Sequence, residues 1–155
     1  MRITRLNHAI TFMMACLLTM TSVAHSAELK GSAKHCSVPP DFAISDGKNL
    51  SPKLKKFLGF FSGYWDRQLY HTLVVSEITK EGDAVVFYAH EAYEGWNIRR
   101  PNCGRHQAKI EDGVLTIKTV ARGKALVKYR FSDADTLEAT YDRNNRVTPG
   151  EFKRQ

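Results

Sequence analysis

Two side chains that can carry positive charge fall in step with a tryptophan in the stretch GFFSGYWDRQLYHTLVVSE, residues 59–77. If this stretch contains one long β-strand, Trp65, Arg67 and His71 point the same way, because side chains two residues apart share a face. Leu69 shares that face, which marks it as the inner one. A buried charge without a partner is costly, so Arg67 and His71 should either be paired or line a hydrated cavity. There they could orient a polar group of a bound molecule, and the imidazole could also transfer protons.

The same alternation directs other polar and aromatic residues inward. The groups available to pair with an inward arginine or histidine are Glu77, Glu91, Tyr129 and Tyr141. The candidate ligand-binding residues are Arg67, His71, Phe87, Trp96, His106, Tyr129 and Tyr141. Two alternatives stay open: Arg67 and His71 reach water at a barrel rim, or they belong to a satisfied structural network.

A loop with a tryptophan and three arginines follows the second predicted strand. It is the segment YEGWNIRRPNCGRH, residues 93–106, which contains Trp96. Such a loop could cover the mouth of a barrel, and its arginines, Arg99, Arg100 and Arg105, could bind an anionic head group. Alternatively, Trp96 caps the core and the arginines are solvated.

A helix and a series of strands must position these residues. Ser51 and Pro52 are typical of a helix start. The apolar residues that follow at helical spacing are Leu54, Phe57, Leu58 and Phe61, and the helix should end at Gly59 or at Ser62-Gly63. Strands are predicted over 65–79, 84–91, 105–110, 114–120, 125–131, 136–141 and 147–153. Turns of about four residues join antiparallel neighbours. The predicted fold class is all-β: an antiparallel up-and-down meander of about seven to eight strands that forms a small barrel, preceded by a short helix.

One motif at the head of the first long strand supports this fold. Gly63-Tyr64-Trp65 resembles the G-x-W opening of the calycins, the group that includes lipocalins and fatty-acid-binding proteins. The resemblance implies an up-and-down barrel in which Gly63 and Trp65 are structural, and Trp65 plugs the closed end beneath the predicted helix. It also implies that the other end opens on a ligand and that an arginine, Arg146 or Arg154, crosses the tryptophan. The stretch LYHTLVVSEI, residues 69–78, resembles exported bacterial proteins of unknown function.

The N-terminal residues are typical of a targeting segment rather than of a folded hydrophobic core. A signal peptide over 1–26 is predicted from a basic start, an apolar run of about 15 residues and small residues near Ala24 and Ser26. A membrane anchor is less favoured, because a spanning helix needs about 20 apolar residues. Residues 27–50 would form an extended arm, and residues 51–155 the lipocalin-like barrel domain. The expected location is periplasmic or secreted, with no integral membrane segment after signal removal.

The cysteines fit the same interpretation. Removal of the signal leaves Cys36 and Cys103, an even pair that favours one disulfide in an oxidising compartment. Two free or buried thiols are the alternative. Lipidation of Cys16 once the signal is cut is a weaker possibility, because Leu17 and Leu18 continue the apolar run past that site.

The charge indicates a few partners and excludes others. The chain has 23 Lys and Arg against 16 Asp and Glu, a formal net charge of +7, and Arg2 and Arg5 would leave with the signal. The remaining excess could meet an anionic envelope surface, or simply form a solvated face. No nucleic-acid partner is expected for an exported protein, and no cofactor or metal is predicted, because no C-x-x-C or similar ligand spacing occurs.

Three functions compete on these observations. The leading one is an exported, non-catalytic binding protein that holds a small apolar or amphipathic molecule in the barrel. The alternative is an envelope or host-facing interaction or inhibitor module with a filled barrel. A small hydrolase or isomerase that uses His71 or His106 is less favoured, because no nucleophile or carboxylate pair occurs at a recognisable spacing.

Overall fold

The structure is a computed structural model that describes residues 42–119 and 125–155. The predicted signal peptide, most of the predicted arm and Cys36 lie outside the described residues. The described elements are α1 Pro52–Lys55, β1 Gly59–Trp65, β2 Leu69–Ile78, β3 Asp83–His90, a 3-10 turn Glu94–Trp96, β4 Asn102–Glu111, β5 Val114–Thr119, β6 Ala125–Phe131, β7 Thr136–Arg143 and β8 Arg146–Arg154.

Eight antiparallel strands close into a barrel. Each strand pairs with its neighbours in sequence, and β1 also pairs with β8. Each of the eight described strands therefore has a ladder partner on both sides. The prediction of an all-β meander barrel with a short leading helix is confirmed. None of the described helices is long and apolar enough to cross a membrane.

The predicted helix is much shorter than its apolar spacing suggested. It ends at Lys55, and Gly59 begins β1, where a strand had not been predicted. Phe57 and Phe61 are both fully buried, but Phe57 precedes the strand and Phe61 points into the barrel. Two glycines and four aromatic residues in GFFSGYW favour a strand over a helix, so the helical spacing was a coincidence.

The long first strand of the sequence prediction is in fact a hairpin. Asp66 and Arg67 both have positive φ, 46° and 59°, and Gln68 N–H donates to Trp65 O at 2.9 Å. Trp65 therefore pairs with Leu69 across the turn. Arg67 lies exposed in this turn, so its predicted inward orientation is wrong. The Asp-Arg pair lacks the Asn or Gly that usually signals such a turn.

The end of the barrel nearest α1 is filled by apolar side chains. The fully buried residues there are Phe57, Phe61, Leu73, Val75, Val86, Leu115, Leu137 and Phe152. Arg154 crosses this end: its guanidinium stacks 4.7 Å from the Phe61 ring centroid and donates to Leu58 O at 2.9 Å. Trp65 lies at the opposite end of β1, so its predicted place beneath the helix is wrong, and the aromatic residue that the arginine crosses is Phe61.

Two glycines make room for Trp65 and for the closing strand. A Cβ at Gly63 would collide with the Glu151 and Phe152 backbone of β8. At Gly150, which pairs with Trp65, a Cβ would approach the indole ring within 2.6 Å. A side chain at either position would push β1 and β8 apart or expel the indole.

The last described part of the N-terminal arm packs on the outside of the barrel. Phe42 contacts the Phe87 ring edge-on, with centroids 5.5 Å apart, and Arg105 stacks 4.9 Å from the Phe42 centroid. Ser45 N–H donates to Ser76 O at 2.8 Å. Phe87 therefore lies on the outer face of β3, and the expectation that it lines the interior is wrong.

Candidate functional site

A cavity of about 210 Å³ opens at the end of the barrel away from α1, here called the mouth. Its walls are mostly aromatic and aliphatic, with three polar or charged side chains. The lining residues are Trp65, Leu69, Tyr88, His90, Trp96, Ile98, Tyr141, Arg143 and Thr148.

Strand alternation explains why these residues meet. Inner positions at the mouth ends of β1, β2, β3, β7 and β8 supply most of the wall, and the ladder pairs Trp65 with Leu69 and Tyr141 with Thr148. His90 ends β3, and its Nδ1 lies 2.8 Å from Glu91 O. Because a carbonyl oxygen can only accept, Nδ1 is the donor in this bond.

The segment between β3 and β4 covers one side of the mouth. Tyr93 and Ile98 form a small antiparallel bridge, with N–H to O distances of 2.8 Å and 3.0 Å. Asn97 adopts a left-handed conformation at φ 55°, which closes the turn after Trp96. Tyr93 also donates its hydroxyl proton to Gln68 at 2.7 Å. These bonds hold Trp96 and Ile98 against the cavity.

The cavity widens outward into a vestibule of about 590 Å³. Four of its residues also line the cavity, so the two volumes adjoin each other. The vestibule residues are Trp96, Tyr141, Arg143, Asn144, Arg146 and Thr148.

A buried polar pair lies below the cavity. His71 Nε2 and the Tyr129 hydroxyl are 3.1 Å apart, and both residues are fully buried. His71 Nδ1 makes no hydrogen bond of regular geometry within the described residues. Burial, followed by the nearby His90, holds the pKa of His71 well below its usual value. Burial likewise raises the pKa of Tyr129. His71 is therefore a neutral core residue and is not among those that line the cavity.

The sequence-predicted site residues separate into distinct groups. Trp96 and Tyr141 line the cavity, while His71 and Tyr129 lie buried beneath it. His106 is half-buried on the inner face of β4, 6.0 Å from the Tyr88 ring centroid, and burial lowers its pKa. Arg67 and Phe87 lie outside the barrel interior.

Sequence reasoning missed six of the lining residues. They are Leu69, Tyr88, His90, Ile98, Arg143 and Thr148. Alternation along β3 carried the missing signal, since Tyr88 and His90 are in step with the inner Ala84 and Val86.

Within 42–119 and 125–155, no three His, Cys, Asp or Glu side chains lie close enough to hold a metal ion. The chemistry of the described mouth is therefore that of an aromatic cleft with a basic rim.

Comparison with known proteins adds little to this geometry. No family model matches the chain, and no curated protein matches it. One similar solved structure is described as a de novo design of a fluorescence-activating β-barrel. The match covers 68% of this chain and 99% of the designed chain, with 15% sequence identity and a TM-score of 0.49. That similarity is too low to carry an inference about the ligand.

Proposed function

We propose that this protein is a non-catalytic, calycin-like binding protein that holds a small apolar or amphipathic molecule at the barrel mouth. The observation that carries the proposal is the cavity with mostly aromatic and aliphatic walls, which Trp96 and Ile98 border and which adjoins the vestibule. A concave apolar site with a few convergent polar groups is the usual form of a small-molecule site.

The cavity volume limits the size of the ligand. About 210 Å³ corresponds to roughly seven water molecules at ~30 Å³ each. It falls below the range of about 300–1,000 Å³ that drug-sized ligands occupy. The ligand is thus a single ring or a short chain, or a longer molecule that inserts only its apolar end.

A filled lower barrel also favours the second candidate function, surface recognition of another protein. The exposed aromatic Tyr64, with half of its surface accessible, lies 5.3 Å from the Tyr70 ring on the outer face, and Val147 is 61% exposed. Isolated exposed apolar residues are common, however. The cavity therefore carries more weight than these residues.

Export and a disulfide between Cys36 and Cys103 belong to the same proposal. Phe42 is anchored against Arg105, and Cys103 lies two residues earlier on the same outer face of β4, about 7 Å away. Cys36 precedes Phe42 by six positions, and an extended chain with that many steps reaches about 20 Å. The position of Phe42 therefore supports the pairing, and a periplasmic or secreted location would allow it to form.

Native mass spectrometry of the protein purified from its own host tests the proposal. A bound small molecule should accompany the wild type and should be lost from Thr148→Phe, which fills the cavity. The matched control is Thr140→Phe, because Thr140 lies exposed on the outer face of β7.

The outcomes separate the two functions. Retention by wild type and Thr140→Phe, with loss from Thr148→Phe, supports the binding site. Surface recognition would be favoured instead if the wild type carries no small molecule but co-purifies with a protein, and if Thr148→Phe retains that protein equally well.

A further inference from the structure

Part of the outer face of the barrel is as deeply buried as its core. On the outer face of β2 and β3, Thr72, Val74, Phe87 and Ala89 are each only 1–3% exposed. Thr140, at an outer position of β7, is exposed instead. Strands that carry apolar residues on both faces are normally covered on both faces. A layer of protein therefore covers the outer side of β2 and β3.

Phe42 covers the lower row of this face, which is the row nearer α1. The row consists of Val74, Phe87 and Arg105, which are ladder partners in that order. The Phe42 ring lies 5.5 Å from that of Phe87, and the Arg105 guanidinium stacks on its other side at 4.9 Å. At the first described residue, the chain thus already lies on the face that it helps to cover.

The upper row, one step towards the mouth, is covered as well. It consists of Thr72, Ala89 and Cys103, again ladder partners in that order. The Thr72 hydroxyl is buried and makes no hydrogen bond within the described residues. A hydroxyl on an outer face normally bonds to water, so the layer over Thr72 excludes solvent and presents apolar groups. Phe42 stacks on the lower row, about 7 Å away.

The residues that precede Phe42 suit this position. They read Ser-Val-Pro-Pro-Asp over 37–41, with Val38 and two prolines in the middle. Because β2 and β3 have ladder partners on both sides, a cover needs apolar side chains and no backbone N–H, which proline lacks. Consecutive prolines favour an extended chain that rises about 3.1 Å per residue. The four steps from Phe42 to Val38 therefore span about 12 Å, enough to reach the upper row.

We infer that residues 37–41 of this chain dock on the outer face of β2 and β3, with Val38 over Ala89. This docking brings Cys36 beside Cys103, so the disulfide fastens a segment that side-chain packing already places. The inference goes beyond the proposed binding function: it concerns the outside of the wall and does not use the mouth cavity.

Methyl NMR of the full, oxidised protein tests the contact directly. With valine and alanine methyl groups labelled, a nuclear Overhauser cross-peak should join Val38 to Ala89, because packed apolar groups approach within about 4–4.5 Å. Val38→Ala identifies the Val38 signals. Dilution with an excess of unlabelled protein should leave the cross-peak unchanged relative to its diagonal peak, because both methyl groups belong to one molecule.

Thermal melts test whether this segment is what covers Thr72. Thr72→Val replaces the unpaired hydroxyl with a methyl group of similar shape, so it should raise Tm by about 2–5 °C while the segment is docked. Val38→Asp should displace the segment and let water reach Thr72, so the gain should vanish in that background. Thr140→Val is the matched control, because Thr140 is exposed and its effect should be equal in both backgrounds.

The outcomes are decisive. A cross-peak that survives dilution, together with a gain at Thr72 that depends on Val38, supports the docking. The inference is overturned if the cross-peak is absent, if dilution removes it because a second copy supplies the cover, or if Thr72→Val has the same effect in both backgrounds. None of these results involves the mouth cavity, so the proposed binding function stands or falls separately.

Discussion

Deleting both members of the buried His71–Tyr129 pair should destabilise the barrel by less than the sum of the two single deletions. The two groups are 3.1 Å apart and fully buried. Tyr129→Phe leaves His71 Nε2 without its partner, and should cost about 2–3 kcal/mol. His71→Leu orphans only the Tyr129 hydroxyl and also removes the unpaired Nδ1, so its cost should be about 1–2 kcal/mol.

The double variant His71→Leu/Tyr129→Phe replaces both partners with apolar groups. Its loss should fall short of the sum of the single losses by about 1 kcal/mol or more, which is the coupling energy of the pair. Urea unfolding followed by tryptophan fluorescence measures each free energy of unfolding, provided that the m-values agree. Tyr64→Phe is the matched control, because it deletes a hydroxyl from an exposed tyrosine and should change stability by less than about 0.5 kcal/mol. Single losses that add within about 0.5 kcal/mol would refute the pairing.

Three further predictions follow from the same interior. Burial lowers the pKa of His71, so as pH falls below about 6.5 the imidazole takes up a proton in the unfolded state and not in the folded state. The free energy of unfolding should therefore decline by up to ~1.4 kcal/mol per pH unit there. His71→Leu should flatten that decline in urea melts. Trp65→Ala should cost about 3–5 kcal/mol, because the indole is only 2% exposed and packs 5.1 Å from the Phe152 ring; a loss below about 1 kcal/mol would contradict its core position. Peptide mapping without reductant should find Cys36 joined to Cys103 in periplasmic material, whereas two free thiols there would remove the disulfide.

The strands were predictable where short turns bounded them, and less so near β1. The turn sequences after β2, β4, β6 and β7 each separated two alternating runs, so an antiparallel meander was the simple outcome. The first hairpin was hidden because Asp66 and Arg67 take positive φ without glycine, and β1 was hidden because Phe57 and Phe61 happen to be four residues apart. The missed hairpin is what placed Arg67 inside.

The site was only partly predictable for a related reason. His71 and Tyr129 were correctly placed inside, because alternation within one strand decides which face a residue takes. The same rule would have found Tyr88 and His90. Alternation does not tell which inner residues fill the core and which border a cavity, because that depends on how the strand ends are staggered around the barrel. Arg143 lines the cavity because the β7–β8 ladder places the end of β7 at the mouth.

Occupation of the mouth cavity is the central claim, and the indole N–H signals of Trp65 and Trp96 test it most directly. The chain has only two tryptophans, so a two-dimensional NMR spectrum of labelled protein contains two such signals. Titration with phenylacetate should shift both of them, and Thr148→Phe should suppress the shifts. Unchanged indole signals in the wild type at saturating phenylacetate and phenylacetamide would contradict the account.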